Sequence, residues 1–374
     1  MGGREPMRIC FYGNQLGSVF GNYRHVLNLA KRFQEAGHEV SVLTKGREQG
    51  TWTVEGVRYE SVSLERKKTF ASFYLEFPVK SLLHFLRHRD FDIIHSTAGY
   101  NLFAILARLV GVVSGLPVIY EVVSPASSSL RFLRFAKLIC ASMNIRKRFG
   151  REAVFIPHCV DLESFSITSR HDYGGDASFV VGTMGSPVPR RGFEYLIQAI
   201  PLVLERHPEV RFVLAIEHPH ARYLPEMMRH LSRLRELVQA CDVSASVEMV
   251  AGEVDVPSFF NSLDAFVYAV QTTEGMVDIP PTVLECLAAG CALVSTPKGG
   301  IPEVVRSYEN GILIDEADCA DPRGYADKII ELIENRDLLS RIRASARESV
   351  EAYDVHVIAP QVMRVYEEVL SRRA

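Results

Sequence analysis

The feature that most constrains this chain is a pattern that occurs twice: an apolar run of strand length, a glycine-containing loop, an amphipathic helix and a second strand. The first copy opens with Met7 to Tyr12, continues through the loop Gly13 to Gly21 and places Val26, Leu27, Leu29, Ala30 and Phe33 at helical spacing. Gly37 then stands where a helix C-cap belongs, and His38 to Thr44 alternates like a strand. The second copy runs from Phe179 to Met184, through Gly185 to Arg191, a helix over Gly192 to His207 and a strand at Val210 to Ile216. Such a unit buries one strand against two neighbours and a helix, so further alternation gives an open parallel sheet. That alternation continues after each copy, at Asp92 to His95 and Pro117 to Val122, then at Val247 to Val250, Ala265 to Ala269 and Ala292 to Ser295. The expectation is an α/β protein with two doubly wound, Rossmann-like domains: residues 1–165, residues 166–352 after a polar, glycine-containing boundary, and a final helix over 353–374 that docks back on the first.

The chain has 374 residues and a net charge of −3, but the charge is divided unevenly. Residues 1–165 carry +8 and the remainder −11, as expected of two domains that face different partners. No apolar run approaches the ~20 residues of a membrane span, and no secretory signal is visible at the N-terminus. The seven cysteines are odd in number and lack C-x-x-C spacing, the usage of reduced thiols, so a cytoplasmic protein is expected.

Ligands of open α/β sheets bind beyond the carboxyl ends of strands, where helix N-termini offer free N–H groups to anions. Both glycine loops lie at such junctions, and neither is G-x-G-x-x-G or a P-loop. The second ends in Arg190 and Arg191, guanidinium groups suited to a diphosphate. The stretch Gln271 to Gly300 holds Glu274, Asp278, Glu285 and a Gly299-Gly300 turn, and a carboxylate at Glu285 could accept from sugar hydroxyls. His218 and His220 lack a third metal ligand, so no metal site is expected. His95 reads as a satisfied core histidine, and no basic patch interleaved with aromatics points to nucleic acid. Two basic, apolar segments, 73–89 and 130–148, read as helices with a face for an anionic membrane.

Taken in order, GNYRHVLNLAKRFQEAGHEVSVLT, FDIIHS, FIPHCVDLESF, VVGTMGSPVPRRGFEYLIQAI and TVLECLAAGCALVSTPKGGIPEVV resemble the retaining glycosyltransferases of family 4 (glycosyl transferases group 1) over nearly the whole chain. The resemblance implies the GT-B fold, two Rossmann-like domains facing a cleft. It also implies sugar transfer from a nucleotide-sugar co-substrate to a glycan or lipid-linked acceptor, with retention and no obligatory metal or other cofactor. By resemblance, Arg191 stands at the phosphate-binding lysine position and Glu285 at the ribose-contacting glutamate, the two expected to carry the reaction. Gly185, Ser186, Arg190, Asp278, Gly299 and Gly300 join them at the donor site, and Gly17, Gly21 and Asn22 form the acceptor-side loop. Peripheral attachment to the inner face of a membrane is a further expectation. The chain departs from the family pattern at Ser186, Val123, Val277 and Glu217. Those departures support an alternative, a degenerate homologue that binds nucleotide-sugar or acts as a scaffold. A nicotinamide-dependent dehydrogenase lacks its glycine signature here.

Overall fold

A computed structural model describes residues 5–13, 21–46, 50–64, 76–88, 90–97, 101–126, 133–150, 152–166, 179–217, 224–252 and 254–373. The chain forms two units. Unit 1 comprises Met1–Asp161, Glu274–Pro281 and Tyr353–Ala374; unit 2 comprises Leu162–Thr273 and Thr282–Ala352. The boundary thus falls at Asp161, and a short segment from within the second half, 274–281, belongs to unit 1, which the linear pattern of strands and helices does not reveal.

Unit 1 is built on β1 (Arg8–Tyr12), β2 (Glu39–Gly46), β3 (Gly50–Val54), β4 (Val57–Leu64), β5 (Ile93–Thr97), β6 (Val118–Val122), β7 (Lys137–Cys140) and β8 (Ala153–Phe155), in the order β3-β4-β2-β1-β5-β6-β7-β8. All pairs are parallel except β3 on β4. The β3–β4 turn puts Glu55 and Gly56 at positive φ (47° and 84°), as a two-residue hairpin requires to match strand twist. β1 pairs β2 on one side and β5 on the other, so the strand order reverses at its carboxyl end.

Helix α1 (Gly21–Glu35) buries Val26, Leu27, Leu29, Ala30 and Phe33, the stripe expected from their spacing. It stops at Gly37, whose φ of 89° lets the Gly37 and His38 amides turn back to the Gln34 and Phe33 carbonyls. The C-terminal helix Val355–Ser371 lies in the same core, with Ile358, Val362 and Tyr366 among the residues packed with Val26, Phe33 and Ile119. Its entry is tied by the Val160 amide donating to the Tyr353 carbonyl at 2.9 Å and the Val355 amide to Val160.

One expected helix is absent. Residues 127–132 lie outside the described ones, and within 133–148 the chain makes β7 and then the short helix Met143–Phe149. Leu138 to Cys140 pair with β6 as a strand, and the Ser142 hydroxyl, accepting from the Ile145 amide at 3.0 Å, starts a helix only afterwards. Three basic groups of this stretch are engaged locally: Lys137 pairs with Glu368, Arg146 donates to the Ala153 carbonyl and Arg148 to that of Pro125, while Arg134 and Lys147 are exposed.

Unit 2 carries β9 (Val180–Gly185), β10 (Arg211–Ile216), β11 (Val247–Ala251), β12 (Ala265–Tyr268), β13 (Ala292–Ser295) and β14 (Ile312–Leu313) in the fully parallel order β11-β10-β9-β12-β13-β14. Here β9 is the strand at which the order reverses. A buried cluster joins Val181, Leu214 and Val267 to Leu196, Ile200 and Ile329 of the covering helices.

Candidate functional site in unit 2

The site is assembled at the carboxyl ends of β9, β10, β12 and β13. β9 ends in Gly185, at φ 151°, where a Cβ would come within 3.3 Å of Arg191 Nε; without it the arginine lies across the strand end. The chain then makes the single turn Pro189–Arg191 and reaches Gly192, at φ 69°, before the helix Phe193–Leu204 begins. A Cβ on Gly192 would stand 2.0 Å from the Ala269 carbonyl oxygen, so this loop presses directly on the backbone beyond β12. The Gln271 amide donates to the Arg190 carbonyl at 2.9 Å, and its side chain donates to the carbonyls of Ala269 (2.7 Å) and Cys319 (3.0 Å). The loop is therefore strapped to a rigid neighbour on both sides of Arg191.

Arg191 donates through Nη1 to the Tyr268 hydroxyl, and its guanidinium lies 5.5 Å from the centre of that ring. Burial pushes the Tyr268 phenol above its usual range, against the opposing pull of Arg191, so it remains a neutral hydrogen-bonding group. Arg190 is exposed at the tip of the loop. Ser186 donates to the carboxylate of Glu217, whose own amide is held by the Gly185 carbonyl at 3.1 Å. A fixed cation and a serine–glutamate pair thus lie at the end of β9.

β13 lies beside β12 and delivers the turn Lys298–Gly300, with Gly299 at φ 60° and Lys298 ion-paired to Glu316. The helix Pro281–Ala288 buries Val283, Leu284, Cys286, Leu287 and Ala288 and leaves Glu285 half-buried and engaged with neighbours. Asp278 belongs to unit 1. Its carboxylate is fully buried, accepting from Ser142 Oγ at 2.5 Å and Asn144 Nδ2 at 3.1 Å, while its amide donates to the Val123 carbonyl at 2.9 Å. Gly17, His218 and His220 lie outside the described residues, and Gly21 and Asn22 open α1. Sequence reasoning missed Tyr268 and Gln271; the pairing of β9 with β12 is what places them.

Two family models match this chain: "Glycosyl transferases group 1" over residues 178–335 and "Glycosyl transferase 4-like domain" over residues 21–159. The chain is a group 1, family 4 glycosyltransferase. Among its relatives is the phosphatidyl-myo-inositol mannosyltransferase of Mycobacterium tuberculosis, 27% identical over 375 residues, covering 93% of each chain. The GPI3 subunit of the phosphatidylinositol N-acetylglucosaminyltransferase of Saccharomyces cerevisiae is 24% identical over 410 residues, 99% of this glycosyltransferase and 84% of that protein. The fold matches Anabaena HepE, solved with UDP and glucose, at TM-score 0.79 and 16% identity over 96% of this chain and 99% of that one. It also matches sucrose-phosphate synthase of Thermosynechococcus elongatus at TM-score 0.80 and 15% identity, covering 98% and 100%. Its two sheets, parallel but for β3, are thus those of GT-B glycosyltransferases. Among the described residues no helix of the glycosyltransferase is long and apolar enough to cross a membrane.

Proposed function

We propose that this glycosyltransferase moves a sugar, with retention and without an obligatory metal, from a nucleotide-sugar held by unit 2 to a glycolipid presented at an anionic membrane surface. The observation that carries the donor assignment is Arg191, a cation fixed by Gly185, Tyr268 and the Gln271 strap at the carboxyl end of the strand where the sheet order reverses. A preorganised guanidinium there neutralises the charge that develops on a departing diphosphate and costs no reorganisation during the step. The diphosphate oxygen it holds can then take the acceptor's proton on the face the leaving group vacates. Glu285 would hold ribose hydroxyls, Gly299-Gly300 would bring backbone close to the donor, and Arg190 would reach the phosphates from the loop tip.

The lipid acceptor is supported by the name of the mycobacterial mannosyltransferase and by a surface of unit 1. Helices Glu76–Arg87 and Asn101–Ser114 pack on one another and expose Val79, Leu83, Ile105, Leu109, Val112 and Val113, with Val112 at 58% exposure. Arg87 and Arg108 share those helices, as does Lys80, which pairs with Glu76. Apolar side chains flanked by basic ones suit insertion among anionic headgroups. These features favour 76–87 and 101–114 as the membrane face; in 137–148, Lys137, Arg146 and Arg148 are engaged within unit 1 and Lys147 is exposed.

The test is calorimetric titration with UDP, GDP and ADP, followed by turnover of the matching sugar nucleotides on phosphatidylinositol vesicles. One nucleoside diphosphate is expected to bind selectively and Arg191→Ala to weaken it. Equal binding by that variant refutes the donor assignment. For the membrane face, Leu83→Glu with Val112→Glu is expected to abolish sedimentation with anionic vesicles; unchanged sedimentation refutes it.

A further inference from the structure

The core of unit 1 holds a cluster that the proposed transfer does not use. Glu121 on β6 is 2% exposed, and three imidazoles surround its carboxylate: His25 of α1, His95 of β5 and His158 of the segment after β8, none more than 2% exposed. His25 Nε2 lies 3.2 Å from Oε1, His158 Nε2 lies 3.3 Å from the same oxygen and His95 Nε2 lies 3.7 Å from Oε2. The His25 and His158 rings stack with centres 4.2 Å apart. From outside, the Cys159 amide donates to His25 Nδ1 at 3.0 Å, and the Tyr366 hydroxyl meets His95 Nδ1 at 2.6 Å.

Hydrogen bonding accounts for only part of this cluster. With Nδ1 accepting from the Cys159 amide, His25 carries its proton on Nε2 and gives it to Oε1. Both nitrogens of His158, Nε2 of His95 and Oε2 of Glu121 then have no hydrogen-bond partner among the described residues. Buried polar atoms are almost always satisfied, so four of them within one cluster call for a further occupant. The chemistry of the unsatisfied atoms is specific: imidazole nitrogens and a carboxylate oxygen are the ligands of borderline divalent metals. One ligand atom each from His25, Glu121 and His158 lies within 4.8 Å of the other two. Ligands about 2.0–2.1 Å from a tetrahedral zinc stand roughly 3.3 Å apart, as the two Glu121 separations do, and the stacked His25 and His158 rings must turn about their Cβ–Cγ bonds for both in-plane lone pairs to meet one ion.

We infer that this cluster binds one divalent transition-metal ion of the zinc class, with Glu121, His158 and His25 as its protein ligands. For His25 to ligate, its proton passes from Nε2 to Nδ1 and stays there, the Nδ1–H donating a hydrogen bond to the Cys159 sulfur 3.2 Å away. The Cys159 amide loses one hydrogen bond, a small loss beside three metal bonds. His95, held by Tyr366, stands next to the second carboxylate oxygen and completes the shell on that side. The ligands come from α1, β6 and the segment after β8, so the ion cross-links three parts of unit 1. Their burial means that it enters as the unit folds.

The test uses the full chain, produced in zinc-supplemented medium and desalted. Mass spectrometric metal analysis is expected to find about one zinc per chain. Glu121→Gln and His158→Asn each lower that content at least tenfold. Replacing His84 and His88, the neighbouring imidazoles of helix 76–87 whose rings are 4.6 Å apart, with asparagine leaves it unchanged. Should the cluster variants fail to fold, wild-type protein refolded with zinc is compared with the same protein refolded in EDTA, and a higher melting temperature with zinc is expected. Metal-free wild-type protein whose melting is indifferent to zinc overturns the inference. So does zinc that survives the cluster substitutions or leaves with His84 and His88.

Discussion

Gly192→Ala is expected to damage both the stability of unit 2 and its grip on the nucleotide, and the structure separates the two contributions to the stability loss. The first is backbone strain: at φ 69° an L-residue is disfavoured by about 1–2 kcal/mol. The second is collision. The new Cβ would lie 2.0 Å from the Ala269 carbonyl oxygen, and the obstacle is backbone at the end of a central strand, which cannot rotate aside as a side chain can. Relief requires the loop or the strand end to shift by about 1 Å, an overpacking penalty of roughly 1–3 kcal/mol. The total of about 2–5 kcal/mol corresponds to a melting shift of roughly 5–15 °C for a unit of this size. Gly290→Ala supplies the control. Its φ of 65° is nearly the same, but its nearest neighbour, the Arg343 carbonyl oxygen, is 3.5 Å away, so it bears the strain alone and loses about 1–2 kcal/mol. Because the displaced loop carries Arg191, Gly192→Ala should also weaken nucleoside diphosphate at least tenfold, whereas Gly290→Ala leaves that affinity unchanged. Thermal denaturation and titration calorimetry on the two variants read these effects. Equal destabilisation, or wild-type affinity in Gly192→Ala, would show that the close approach of this loop to β12 is not what holds Arg191.

Three other perturbations test separate parts of the structure. Arg191→Ala should cost donor binding about 2–4 kcal/mol, roughly 30- to 700-fold in Kd by calorimetry, because a diphosphate loses a charge-assisted partner. Asp278→Ala strips hydrogen bonds from the buried Ser142 and half-buried Asn144 side chains, so unit 1 should lose about 1–3 kcal/mol in urea denaturation; an unchanged midpoint would show that the segment 274–281 is not held this way. His230, 6% exposed beside Glu194, is held below the ordinary imidazole range mainly by burial. A depressed histidine means that the unfolded chain takes the proton first, so stability falls as pH drops below about 6.5. His230→Gln should flatten that dependence, and a slope identical to wild type would discount His230 as its source.

The two Rossmann-like sheets were legible in the residues because strand-length apolar runs, glycine loops and helical stripes are local patterns. Arg190, Arg191 and the Gly299-Gly300 turn were legible for the same reason, since a glycine loop followed by guanidinium groups marks a strand end without reference to the rest of the chain. The segment 130–148 was misread because basic and apolar residues share it at spacings that a helix accommodates. Only pairing with β6 turns Lys137–Cys140 into a strand. The sequence by itself therefore determined the fold class, the strand ends that could bind an anion and the family, all of which depend on neighbours along the chain. Tertiary structure alone decided that Tyr268 and Gln271 hold the Arg191 loop, that Asp278 is spent on Ser142 and Asn144, and that His25, His95 and His158 converge on Glu121. Each of these joins residues far apart in sequence. Local chemistry gives no sign of which side chains the packing of sheets and helices will bring within 3–4 Å.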